Sequence, residues 1–141
     1  MITPNDCIKK FGLPVPKNAC LTLWQIPTEL QFKPIPKQIY VNTLMIIPLS
    51  KAFKSLIDSG AVKELKTFDG CFNIRCQRDV SVYSLHSWAI AIDLNAADNP
   101  LYSKTTTFTN TFIKCFKDAG FDWGGDWKFR KDPMHFQLSN F

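Results

Sequence analysis

Apolar positions recur along this chain at two different periods, and the change from one to the other marks the expected elements. From Trp88 to Leu94 the alternation is strict: Trp88, Ile90, Ile92 and Leu94 face one way, while Ala89, Ala91 and Asp93 face the other, as in a half-buried strand. A second alternation near the end sets Phe136 and Leu138 against His135 and Gln137. Helical spacing appears elsewhere. Leu49, Phe53, Leu56 and Ile57 predict a helix over residues 49–59, begun after Pro48 and stopped by Gly60. Phe108, Phe112, Cys115, Phe116 and Ala119 predict another over residues 107–119, ended by Gly120. At the start, Thr3 is an N-cap, Pro4 a first helical residue and Asp6 the closing member of a capping box, with Gly12 as the stop.

Between these elements the pattern is less regular. Prolines at 14, 16, 27, 34 and 36 predict an extended segment over residues 13–36 that wraps the surface, anchored by Trp24, Ile26 and Leu30. Residues 39–47 are apolar and β-prone and contain a short expected strand. Residues 62–68 and 72–78, joined by the Asp69-Gly70 turn, read as strands flanking the one that carries Asp93. Residues 95–103 form a loop around Asp98-Asn99-Pro100. In Trp123-Gly124-Gly125-Asp126-Trp127 the glycines permit close backbone approach, and Trp127 is a candidate for the floor of a cleft.

Composition narrows the class. A chain of 141 residues, 45% hydrophobic and 21% charged, is long enough to bury a core and too apolar for disorder. It reads as a single domain, with residues 1–38 as the N-terminal helix and wrapping segment and residues 39–141 as the main body. The net charge of +5 is a weak attraction to anionic polymers, and the scattered basic residues lack an RNA-binding aromatic motif, so no nucleic-acid partner is expected. Five cysteines without a CxxC pair predict reduced thiols, with Cys71 and Cys76 as small buried side chains. The opening MITPNDCIKKFG has no apolar signal core and no run reaches membrane-spanning length. A monomer without membrane insertion is expected.

Candidate chemistry gathers in SLHSWAIAIDLN, residues 84–95, and DPMHFQ, residues 132–137. They hold the only two histidines, His86 and His135, each with an aspartate at short range. Either histidine alone reads as a satisfied core residue. Together, His86, Asp93 and His135 match the three protein ligands of a catalytic zinc site, in which a fourth position is left for water. Asp132, on a loop before Pro133, is then free to move protons.

These two segments carry a resemblance. SLHSWAIAID is similar to the SxHxxGxAxD signature, and DPMH to the (E/D)xxH signature, of the zinc D-Ala-D-Ala carboxypeptidase and L-alanyl-D-glutamate endopeptidase family. GFDWGGDW resembles the run before the second motif in its endolysin-like branch, and the likeness spans residues 72–138. The resemblance implies one Zn2+ ion held by His86, Asp93 and His135, with Asp132 as catalytic acid/base. It also implies Ser84 near the substrate and an arginine that binds a substrate carbonyl or carboxylate, Arg75 by preference with Arg78 as competitor. Ala89 stands where the family usually has glycine, and the expected effect is a methyl group that narrows the cleft.

The implied fold is a small α+β domain of the Hedgehog/D-Ala-D-Ala peptidase kind, in which an antiparallel sheet carries the zinc ligands and helices pack on its other face. The implied activity is cleavage of the peptidoglycan stem peptide, between L-alanine and D-glutamate, by a phage endolysin or virion-associated lysin, with residues 39–141 as the catalytic core and the protein held in the host cytoplasm before release to the cell wall or carried on a virion. D-alanyl-D-alanine carboxypeptidase or dipeptidase activity is the alternative within the enzyme class. A non-catalytic wall-binding or structural phage protein is the alternative outside it.

Overall fold

The computed structural model describes all 141 residues. Helix α1, Pro4–Phe11, begins as its sequence dictates: the Thr3 hydroxyl accepts from the Asp6 N–H while the Asp6 carboxylate accepts from the Thr3 N–H at 2.8 Å. Gly12 ends the helix at φ 79°. The segment expected to be merely extended contains strand β1, Leu21–Gln25, paired antiparallel with β2, Gln38–Asn42. The prolines flank β1 instead of interrupting it, so no ladder N–H is lost. Trp24 and Ile26 are buried and Leu30 half-buried.

Helix α2 runs Ile46–Ser59, three residues longer at its start than the proline suggested. Pro48 occupies the third helical position, where an N–H has no intrahelical partner to lose. Leu49, Ala52, Phe53 and Leu56 form its buried stripe, and Ile57 lies at the boundary with solvent, 36% exposed. Helix α3 is Asn110–Asp118, capped by the Thr109 hydroxyl, with Phe108 packed just ahead of it.

The second sheet places the chemistry. Its antiparallel order is β3 (Phe68–Gly70), β4 (Ala91–Leu94), β6 (His135–Leu138) and β5 (Phe121–Trp123). The two strands expected beside β4 fare differently. Residues 61–64 form a 3-10 turn and the first strand is displaced onto β3, where Asp69-Gly70 pairs with β4 instead of turning; the second is absent, because residues 72–78 run as a loop with one isolated bridge, Cys76 to Tyr83. The β4 strand is also shorter than the alternation implied, because Leu85–Trp88 forms a 3-10 turn and Ala89 is left-handed.

Register then fixes two faces. Ile92 lies opposite Phe136 and faces the core, where Phe136 meets Phe108, Phe112 and Phe116 at centroid distances of 5.8, 6.2 and 4.4 Å. Asp93 opposite His135, and Ala91 opposite Gln137, share the other face. This is an α+β arrangement with helices on one side of the antiparallel sheet and the polar pairs on the other. No helix is long and apolar enough to cross a membrane. All five cysteines are free, and burial pushes the Cys7 thiol up to about 12; Cys71 is buried but Cys76 is exposed, on the loop that forms no strand.

Candidate metal centre and its cleft

His86 arrives from the 3-10 turn that precedes β4. Ser84 caps that turn, its hydroxyl accepting from the His86 N–H at 3.4 Å, and the turn closes with Ala89 at φ 52°. A residue with a Cβ seldom adopts this left-handed conformation, which explains why glycine suits the position. The methyl of Ala89 is fully buried and does not line the cleft, so the expected narrowing does not occur. What the alanine changes is backbone strain.

Three bonds fasten the turn to its surroundings. The Trp88 indole N–H donates to the Gly12 carbonyl at 2.9 Å, and Asn42 donates to the carbonyls of Trp88 and Ala89. Strand pairing supplies the other half, since Asp93 and His135 are directly opposed on β4 and β6.

Three atoms therefore converge. His86 Nε2 lies 3.2 Å from His135 Nδ1 and 3.2 Å from Asp93 Oδ1, and His135 Nδ1 lies 3.1 Å from the same oxygen. All three side chains are buried or nearly so. A tetrahedral zinc with bonds of about 2.0–2.1 Å sets its ligand atoms about 3.3–3.4 Å apart, close to this triangle. The donor set of two imidazoles and one carboxylate also suits the ion. Behind the triangle, His86 Nδ1 is 2.8 Å from the Cys71 carbonyl, which can only accept, so the ring proton sits on Nδ1 and the Nε2 lone pair points inward. The residues present thus fit a divalent cation.

Charge follows the same geometry. Burial alone would raise the Asp93 carboxyl, but the adjoining His135 and His86 side chains outweigh it and hold the group well below the usual carboxylate range. For His135, burial works against the charged form, yet Asp93 and Asp132 together raise its pKa.

Asp132 lines the same cleft from the loop before β6. Its backbone is tied to the glycine pair: the Asp132 N–H donates to the Gly124 carbonyl at 3.0 Å, and a Cβ on Gly124 would stand 2.3 Å from the Asp132 carbonyl oxygen. Close approach is thus a true requirement at Gly124. Asp132 Oδ1 is buried without a hydrogen-bond partner. Burial raises its pKa, opposed by His135 and reinforced by the Asp93 charge. A carboxyl in that condition is suited to exchanging protons with something that enters the cleft.

The cleft, about 120 Å³, also receives Arg75, Arg78, Ser84 and Trp127, whose ring centroid is 5.3 Å from that of His135. Ser87 holds the Arg75 backbone at both its N–H and its carbonyl, at 3.2 and 3.0 Å. Two further residues line the cleft, and only the first escapes a reading based on short-range spacing. Arg130 reaches the rim from the loop before Asp132, donating to the Arg78 carbonyl at 2.7 Å and lying over the Tyr102 ring. Gln137 stands beside His135, a position the β6 alternation does signal.

Residues 78–138 match the model of a family described as D-alanyl-D-alanine carboxypeptidase. Arg78, Ser84, His86, Asp93, Trp127, Asp132 and His135 fall within the matched stretch and Arg75 precedes it. The part of the chain that builds the converging triangle is therefore the part similar to that peptidase family.

Proposed function

We propose that this protein is a zinc-dependent peptidase acting on the stem peptide of bacterial peptidoglycan. The observation that carries the reading is the triangle of His86 Nε2, Asp93 Oδ1 and His135 Nδ1, with an unpartnered Asp132 carboxyl oxygen in the same cleft. His86, Asp93 and His135 would hold the ion. When bound, zinc supplies Lewis acidity and brings the pKa of a water down to roughly 7.

The chain's own groups account for the rest. Asp132 takes a proton from the attacking water and returns it to the departing amine, a role consistent with its raised pKa. Arg75, held through its backbone by Ser87, donates to the carbonyl oxygen as negative charge develops there. Trp127 forms one wall beside His135 and Ser84 shapes the turn beneath His86.

The rim favours a substrate with carboxylates. Arg75, Arg78 and Arg130 all line the cleft, while the six ion pairs of the molecule are made by lysines and histidines. Their guanidinium groups are available for the free α-carboxylate beside the L-alanyl-D-glutamate bond, which we take as the scissile bond of a phage endolysin or virion-associated lysin acting as a monomer. A second reading, release of D-alanine from a free C-terminus, is favoured by the description of the matching family. Digestion of defined muropeptides with and without a chelator, followed by mass spectrometry of the new termini, tests both. New N-terminal glutamate that disappears with the chelator is expected; D-alanine alone replaces the first bond with the second, and unchanged peptides defeat the peptidase reading.

A further inference from the structure

The two histidines of the triangle are turned in opposite senses. His86 points Nε2 inward and Nδ1 outward, and His135 points Nδ1 inward and Nε2 outward. Each neutral imidazole has one N–H and one lone pair, so whichever group receives the outward nitrogen decides what the inward one can do. For His86 the outward partner is the Cys71 carbonyl, which settles the matter. For His135 it is the side-chain amide of Gln137, with Oε1 at 3.0 Å from Nε2.

We infer that Gln137 is a positioning residue that selects the metal-binding tautomer of His135. Its Oε1 accepts the Nε2 proton, which leaves the Nδ1 lone pair directed at the same point as His86 Nε2 and Asp93 Oδ1. The fold prepares this contact. His135 and Gln137 are two apart on β6 and so share a face, both are buried, and the residue across from Gln137 on β4 is Ala91, whose small side chain leaves the amide room. Burial also makes the bond selective, because an amide turned the other way would set an N–H donor against the ring and require the proton on Nδ1, inside the triangle.

The choice of an amide has its own consequence. A carboxylate at this place would pull the Nε2 proton harder and make the ring a stronger donor; a neutral amide orients the ring with a smaller increase in basicity. Gln137 would therefore hold metal affinity below the maximum this ligand set could reach.

The inference rests on the metal-site reading and is tested separately from it. Zinc affinity is measured by competition with a chromophoric chelator for the native protein, Gln137→Leu and Gln137→Glu, alongside thermal unfolding of each metal-free form. The Leu variant is expected to bind zinc about 10- to 100-fold more weakly, and the Glu variant to bind at least as tightly as the native protein. Nitrogen NMR of the zinc-loaded native protein is expected to show the His135 proton on Nε2, a readout that does not depend on how the variants fold. Native affinity in the Leu variant, a Glu variant as weak as Leu, or a proton on Nδ1 would each overturn the role of Gln137. Failure of the native protein to bind zinc would remove the metal site and this inference together.

Discussion

His86, Asp93 and His135 have side chains only 4, 13 and 8% exposed, and each is fixed by a strand partner, a capped turn or a buried hydrogen bond. Arg75 and Arg78, which line the same cleft, lie on an exposed loop whose one strand-like contact is the Cys76–Tyr83 bridge. Inner wall and rim thus answer to different requirements. Ligand atoms must meet within a few tenths of an ångström, which regular pairing provides; charged groups that greet a substrate act over longer distances and tolerate a looser mounting. Arg130 stands between the two. It is anchored to the Arg78 carbonyl and to Tyr102, whose hydroxyl donates to Asp79, and Asp79, Tyr102 and Arg130 all have positive φ. The rim is a braced set of non-repetitive conformations.

Substitutions separate the two tiers. The largest effect is expected from His135→Ala, which removes one of the three proposed ligands; zinc content by elemental analysis is expected to fall to background and peptide cleavage to go with it. Asp132→Asn is expected to lower kcat by about 10²- to 10⁴-fold while zinc content stays at the native level, so loss of metal here would move Asp132 from proton transfer to ligation. Arg130→Ala is expected to raise KM for carboxylate-bearing peptides by roughly 10- to 100-fold, the value of about 1.5–3 kcal/mol for a hydrogen bond to a charged group, with zinc content unchanged. An equal KM for native and variant would take Arg130 out of recognition. The smallest effect belongs to Ala89→Gly. Relief of left-handed strain, about 1–2 kcal/mol, is offset by added chain entropy and a lost buried methyl, roughly 0.5–1 and 0.8 kcal/mol. Chemical denaturation should show a change of no more than about 1 kcal/mol, and a larger loss would mean that the methyl packs more tightly than the backbone argument allows.

The sequence carried the inner tier more legibly than the outer one. Alternation around Asp93 and His135 requires only nearest neighbours along the chain, and the capping box around Thr3 and Asp6 is equally local. The antiparallel sheet with helices behind it agrees with expectation. Strand β1 is hidden in the pattern because prolines that bound a strand look the same in sequence as prolines that break one, and α2 starts early because a proline in the first helical turn removes no bond. Residues 72–78 have β-prone side chains but no neighbouring strand to pair with, and propensity cannot supply a partner. The left-handed turn at Ala89 and the arrival of Arg130 at the rim depend on contacts between distant segments. No local pattern encodes them.

One indole ties the two ends of this design. Because Trp88 reaches across to the carbonyl of Gly12, the residue that stops the opening helix, the turn that presents the first imidazole leans on a residue 76 positions upstream. Shortening the chain from its beginning, as one would to make a minimal catalytic fragment, would leave that N–H bare inside the protein and loosen the seat of His86. The opening helix is part of the foundation, and a fusion or a tag is better tolerated ahead of it than in its place.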